Sequence, residues 1–117
     1  MDAGGRGKPG GGGIRPKRNP EVAWRLEKGL HAMAWDKARG EEEFEDIGVL
    51  TLMYGDGIHQ LNLLGAEIWT RVNGVNSVGR ISGEVAELFG WEPGESEEAV
   101  LEFLEGLEER GWVSLAR

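Results

Sequence analysis

Apolar and polar residues alternate over Val22-Ala23-Trp24-Arg25-Leu26-Glu27, which places Val22, Trp24 and Leu26 on one side of a half-buried strand. Gly48-Val49-Leu50-Thr51-Leu52-Met53-Tyr54 is apolar on both faces and reads as a central strand covered on two sides. Tyr54-Gly55-Asp56-Gly57-Ile58 then supplies the glycines of a tight reversal, and a third strand runs from Ile58 to Leu61. The pattern predicts an antiparallel meander with its first and third strands at the edges. Between strands one and two, residues 28–47 form an insertion. Leu30, Met33, Ala34 and Lys37 fall at helical spacing there, with Gly40 as a stop.

Beyond the third strand the period changes to that of helices. Asn62 is placed to cap a helix in which Leu64, Ile68 and Val72 recur at i, i+4 and i+8. Ser77 caps a second helix, with Val78, Ile81, Val85 and Leu88 inward and Gly90 as its stop; Gly79 and Gly83 weaken it. Ser96 caps a third, running from Glu97 to Arg110 with a stripe of Val100, Leu101, Phe103, Leu104 and Leu107, and Gly111 ends it. Trp112 to Leu115 is a short extended tail that returns to the body. The predicted class is α+β: a three-stranded antiparallel sheet followed by a three-helix bundle, in a winged helix-turn-helix-like outline.

Charge narrows what such an outline can do. The 117 residues carry a net charge of −8, unevenly spread. Residues 1–19 hold five bases against one acid, while the remainder holds eight bases against twenty acids. The Gly-rich stretch 1–13 has too little apolar surface to offset its ordering entropy. Residues 1–19 are therefore expected to be a disordered basic tail, with order beginning near Asn19-Pro20, and residues 20–117 to form one domain. The third helix carries Glu97, Glu98, Glu102, Glu105, Glu108 and Glu109 against Arg110. A helix so acidic repels phosphate, which argues against nucleic acid as a partner. What remains is a bare sheet edge beside a helix, a slot for an extended peptide.

The residues offer no catalytic constellation. There is no cysteine, so disulfides, thiol catalysis and thiolate ligation are excluded. His31 and His59 stand far apart without metal-ligand spacing, and no nucleophile elbow or phosphate-holding loop is present. The carboxylates are read as solvated helix faces, including Glu41-Glu42-Glu43. Of the five tryptophans, Trp24 and Trp112 are expected in the core, and Trp69 as a partly exposed contact residue. No apolar run approaches the ~20 residues of a bilayer span, so a cytoplasmic protein with no membrane partner and no cofactor is expected.

The order of elements, with "HQLNLLGAEIWTRVNG", "SVGRISGEVAELFG" and "EEAVLEFLEGLEERGWV", resembles the PqqD-like family, small peptide chaperones also called RiPP recognition elements. The likeness rests on Leu61-Asn62 at the strand-to-helix join, Ile68, Gly74, Ile81 and Leu88. It rests too on the series Val100, Phe103-Leu104, Leu107, Gly111. It covers residues 20–115 and is best over 57–112. The segment from Leu61 to Trp69 and the long insertion look most like the subgroup paired with radical SAM/SPASM maturases in GeoRSP-type systems. Two features depart from the family: Arg80 stands where an acid often follows the second cap, and the insertion is long.

The resemblance implies a non-enzymatic protein that binds the leader of a precursor peptide and presents it to a radical SAM maturase. The leader would add to the third strand at Ile58, His59, Gln60 and Leu61. Side-chain contacts would come from among Glu97, Val100, Leu101, Leu104, Glu105 and Glu108, and Leu107 would serve the core alone. The residues by themselves also leave open a regulatory adaptor docking through Trp69 or Trp91, and a winged-helix DNA binder.

Overall fold

The computed structural model of the chain describes residues 11–116, and the expected disorder of residues 1–10 lies outside them. The fold is α+β, and among the described residues nine regular strands and helices follow one 3-10 turn at Gly11–Gly13. In chain order they are β1 (Lys17–Arg18), β2 (Ala23–Leu26), α1 (Lys28–Arg39), β3 (Leu50–Tyr54) and β4 (Gly57–Leu61). There follow α2 (Leu63–Trp69), α3 (Val78–Phe89), α4 (Pro93–Glu109) and β5 (Val113–Ser114). They divide into two compact units, one of residues 19–70 and one joining the N-terminal segment to residues 71 onward.

The first unit is built on the expected meander, in the order β2-β3-β4 and antiparallel throughout. Its turn is a two-residue loop, Gly55-Asp56, with Gly55 at φ +61°, the position at which a type II′ reversal requires glycine. Leu50 and Leu52 are fully buried on one face, whereas Met53, on the other, is 42% exposed. The central strand is thus covered on one face, not two.

Trp24 also departs from expectation. It pairs with Leu52 and meets Trp69 edge-on at 6.3 Å, yet it stays 38% exposed because β2 is an edge strand. Trp69, expected as a contact residue, is instead fully buried. Asn62 caps α2 as expected, its side-chain oxygen accepting from the Gly65 N–H at 3.0 Å. The helix ends at Trp69, so Val72 is buried from the following loop rather than from the helix. The insertion does form a helix, α1, stopped at Gly40. Its buried residue is Ala34, and Leu30 and Met33 are exposed.

The second unit packs α3 against α4. Ser77 caps α3 by accepting from the Arg80 N–H at 3.1 Å, and Gly90 ends it in the left-handed conformation. Leu88, expected inward, is 41% exposed, while Val78, Ile81 and Val85 are fully buried. Helix α4 begins four residues before the expected start, with Pro93 in its first turn, where the missing N–H is no loss. Ser96 is therefore not its cap: its hydroxyl is buried and donates to the Ser82 carbonyl at 2.7 Å, tying α4 to α3. At the far end, Gly111 N–H bonds the Glu108 carbonyl and Trp112 N–H the Leu107 carbonyl, the pair that closes a helix on a left-handed glycine.

The boundary at residue 19 needs correction. Lys17 and Arg18 form β1, paired antiparallel with Ser114 and Val113 of β5. The Ile14 carbonyl accepts from the Val78 N–H at 2.7 Å, and the Pro16 carbonyl from the Gly74 N–H at 2.9 Å. These long-range bonds, invisible to local composition, order a segment that composition alone marks as tail. Burial of Arg18 within it pushes its guanidinium down from the ordinary value.

Candidate functional site

Strand β4 is an open edge. In the sheet order β2-β3-β4 its second side pairs with no strand among the described residues. The two-residue loop fixes which backbone groups point out. Tyr54 and Gly57, flanking such a loop, are the hydrogen-bonded pair, and the pattern alternates from there. His59 and Leu61 thus direct their amides and carbonyls toward β3. Ile58 and Gln60 direct theirs away from the sheet. In keeping with this, the Leu61 carbonyl accepts from the Val49 N–H at 2.9 Å.

The side chains of the four expected edge residues differ in use. Ile58 is 71% exposed, His59 and Gln60 are exposed, and Leu61 belongs to the core. Gln60 lies over Gly48, where an added Cβ would come within 2.6 Å of its Oε1. Position 48 therefore has no room for a side chain while Gln60 keeps this pose. Below the strand, Asn62 does double duty: besides capping α2, its Nδ2 donates to the Glu45 carbonyl at 3.2 Å, tying down the end of the insertion.

The six expected helix residues belong to α4, in the second unit. Val100 and Leu104 are fully buried, so their place is the core, as it is for Leu107. Leu101 and Glu105 are half-buried. The Glu97 carboxylate lies against the backbone of Gly12, whose added Cβ would be 3.2 Å from Oε2. Glu108 is exposed, and its Oε2 accepts from the Leu115 N–H at 3.2 Å, holding the C-terminal strand. The exposed acids Glu98, Glu102 and Glu109 complete an acidic helix surface.

One cluster escaped the sequence. Glu67 is buried, and its Oε2 receives His31 Nε2 at 2.8 Å and Trp35 Nε1 at 2.9 Å. Two nitrogen groups of α1 thereby satisfy a carboxylate that would be costly to leave bare. The reading of all carboxylates as solvated faces fails at this residue. The available signal was a lone acid within Leu63–Trp69, an otherwise apolar helix. Among the described residues, no group of three or more acidic, histidine or cysteine side chains is arranged to hold a metal ion. None of the described helices is long and apolar enough to cross a membrane.

The profile of the family described as Coenzyme PQQ synthesis protein D (PqqD) matches residues 50–113, more than half of the chain. The chain belongs to the PqqD family. The matched PqqD region starts at β3 and includes the open strand β4 and helices α2, α3 and α4; β2 and the α1 insertion precede it. The fold is also similar to the solution structure of the PqqD truncation of Methylobacterium extorquens PqqCD. The TM-score is 0.58 and the identity 16%, over 85% of this chain and 87% of that one. That protein is described as a functional, stand-alone recognition element for ribosomally synthesised and post-translationally modified peptides. A search of curated proteins gives no match. Within the PqqD frame, α1 and its Glu67 anchor are features outside the family-matched stretch on one side and inside it on the other.

Proposed function

We propose that this PqqD-family protein binds the leader segment of a ribosomally synthesised precursor peptide and presents it to a modifying enzyme. On this reading the leader adds as a strand to β4, bonding to the outward backbone groups of Ile58 and Gln60, with His59 alongside. The observation that carries the reading is the edge of β4, which pairs with no second strand among the described residues, in a chain of this family. Strand addition draws affinity from backbone bonds and selectivity from alternating side chains. The protein itself works without chemistry of its own, in a winged helix-turn-helix-like frame, and the modification falls to a radical SAM maturase in the cytoplasm.

Glu97, Leu101, Glu105 and Glu108 are proposed from charge and position in the sequence as further peptide contacts, favouring a leader with Lys or Arg near its docking segment. Val100 and Leu104 would act only by shaping the helix that carries them. The acidity of α4 speaks against duplex DNA as the partner. The adaptor reading loses one of its two anchors with Trp69 buried.

The test is a backbone-amide titration with the leader of a short peptide encoded beside this gene. Shifts concentrated on Ile58–Leu61, with micromolar affinity, are expected for a short segment ordered on binding. A folded protein that shows no shifts at high-micromolar leader refutes the reading for that peptide. Shifts on α4 decide the acidic contacts separately.

A further inference from the structure

Cross-strand partners in an antiparallel sheet share a face, so the register sorts the exposed side chains of the first unit into rows. One row runs Ala23, Met53, Ile58 across β2, β3 and β4. The next row on the same face runs Arg25, Thr51, Gln60. The first is apolar on every strand and the second polar on every strand. Ala23 is exposed, and the exposure is 42% at Met53 and 71% at Ile58 on the open edge. An exposed aliphatic on an edge strand invites pairing, and proteins usually block such edges with lysine, proline or a bulge. Strand β4, Gly-Ile-His-Gln-Leu, has neither lysine nor proline, and its pairing with β3 runs unbroken from Gly57 to Leu61.

The outward backbone groups belong to Ile58 and Gln60, the two residues whose side chains also lie on this face. A strand added to β4 would therefore set one residue directly opposite Ile58, and another, two positions along, opposite Gln60. We infer, resting on the strand-addition reading, that Ile58 selects a large apolar residue of the leader, such as Val, Ile, Leu or Phe. The residue opposite Gln60 is polar. The apolar residue extends the row onto a fourth strand and covers the most exposed large hydrophobic side chain of the sheet. The Gln60 amide, held over Gly48, offers a neutral hydrogen-bonding partner to the second position. Recognition is thus a two-residue alternation read on the sheet face by β4 alone.

The experiment selects short random peptides, displayed on their messenger RNA, for binding to the full chain. The winners are then titrated into isotope-labelled protein. Peptides that shift the Ile58 and Gln60 amides are expected to share an apolar residue at one aligned position. Ile58→Thr, which keeps the β-branch, weakens them about fivefold. Replacing the aligned peptide residue by Ser weakens binding similarly, and the two losses do not multiply when combined. Peptides that shift these amides without a shared apolar position, or an Ile58→Thr variant of unchanged affinity, overturn the inference and leave strand addition standing. Peptides that bind elsewhere, or a selection that yields none, overturn both. A dimeric chain made monomeric by Ile58→Lys assigns the row to a second copy, and that also overturns the inference.

Discussion

His31 Nε2 lies 2.8 Å from a carboxylate oxygen of Glu67, and this contact joins the inserted helix α1 to the buried helix α2. The same oxygen receives Trp35 Nε1, so one acceptor holds two groups a helical turn apart. Glu67→Ala should destabilise the chain by about 1–3 kcal/mol, since it strips both donors of their partner. Glu67→Gln retains one acceptor oxygen and should lose less. Urea titration of the three proteins measures the order, and a wild-type-like Glu67→Ala would show that the cluster adds nothing.

Two glycines of α3 should respond unequally to alanine. An added Cβ at Gly83 meets nothing within 4 Å, so Gly83→Ala should gain about 1 kcal/mol of helix propensity. An added Cβ at Gly79 would sit 3.1 Å from the Gly12 carbonyl oxygen. Gly79→Ala must displace that backbone and should fall short of Gly83→Ala by at least about 0.5 kcal/mol. Thermal melts of both variants check this, and equal gains would mean that the N-terminal segment yields freely.

Removal of residues 1–18, compared with a chain beginning at Gly11, should lower stability by roughly 2–4 kcal/mol. The shorter chain loses the β1–β5 pair and leaves the Val78 and Gly74 amides without their carbonyl partners. Hydrogen exchange should quicken at Gly74 and Val78, while the β2-β3-β4 sheet keeps its protection. Unchanged exchange at those two amides would refute the bracing role of the segment.

The Glu84 carboxyl is held below the usual range by the Arg71 hydrogen bond at 2.8 Å, against a desolvation that pushes it up, with Arg80 adding a second bond at 3.1 Å. A carboxyl lowered in the folded state contributes stability that is fully present above its unfolded value. That contribution is lost as pH falls through the folded value. Glu84→Gln should therefore cost up to about 1 kcal/mol at neutral pH, the pair being partly exposed. The difference from wild type should vanish in acid below the ordinary carboxylate range. Denaturation midpoints at neutral and acid pH decide it, and a gap that persists in strong acid would refute the charge-based account.

What could be read from the sequence was what local chemistry decides. Asn62, Ser77, Gly90 and Gly111 act at helix ends within a turn of themselves, and each takes the role its residue type suggests. The hairpin at Gly55 is of the same kind. Errors arose where a distant partner decides. Ser96 resembles a cap until Ser82 offers its carbonyl, and Glu67 resembles a solvated acid until α1 supplies two donors. Trp24 and Leu88 keep the right period but lie at the margin of what their neighbours cover. At the candidate site the edge strand was legible from the turn chemistry that precedes it. The division of α4 into buried Val100 and Leu104 and half-buried Leu101 was not, because its apolar stripe is wider than the surface it buries.

The pairing of Lys17 with Ser114 bears on how the molecule comes into being. During synthesis, residues 19–70 leave the ribosome with every strand of their sheet in hand. Lys17 and Arg18, just before them, must wait until Val113 and Ser114 have been made. The β1–β5 pair is thus the last to close, and a nascent chain stalled before β5 carries a finished sheet and a β1 still without its partner strand.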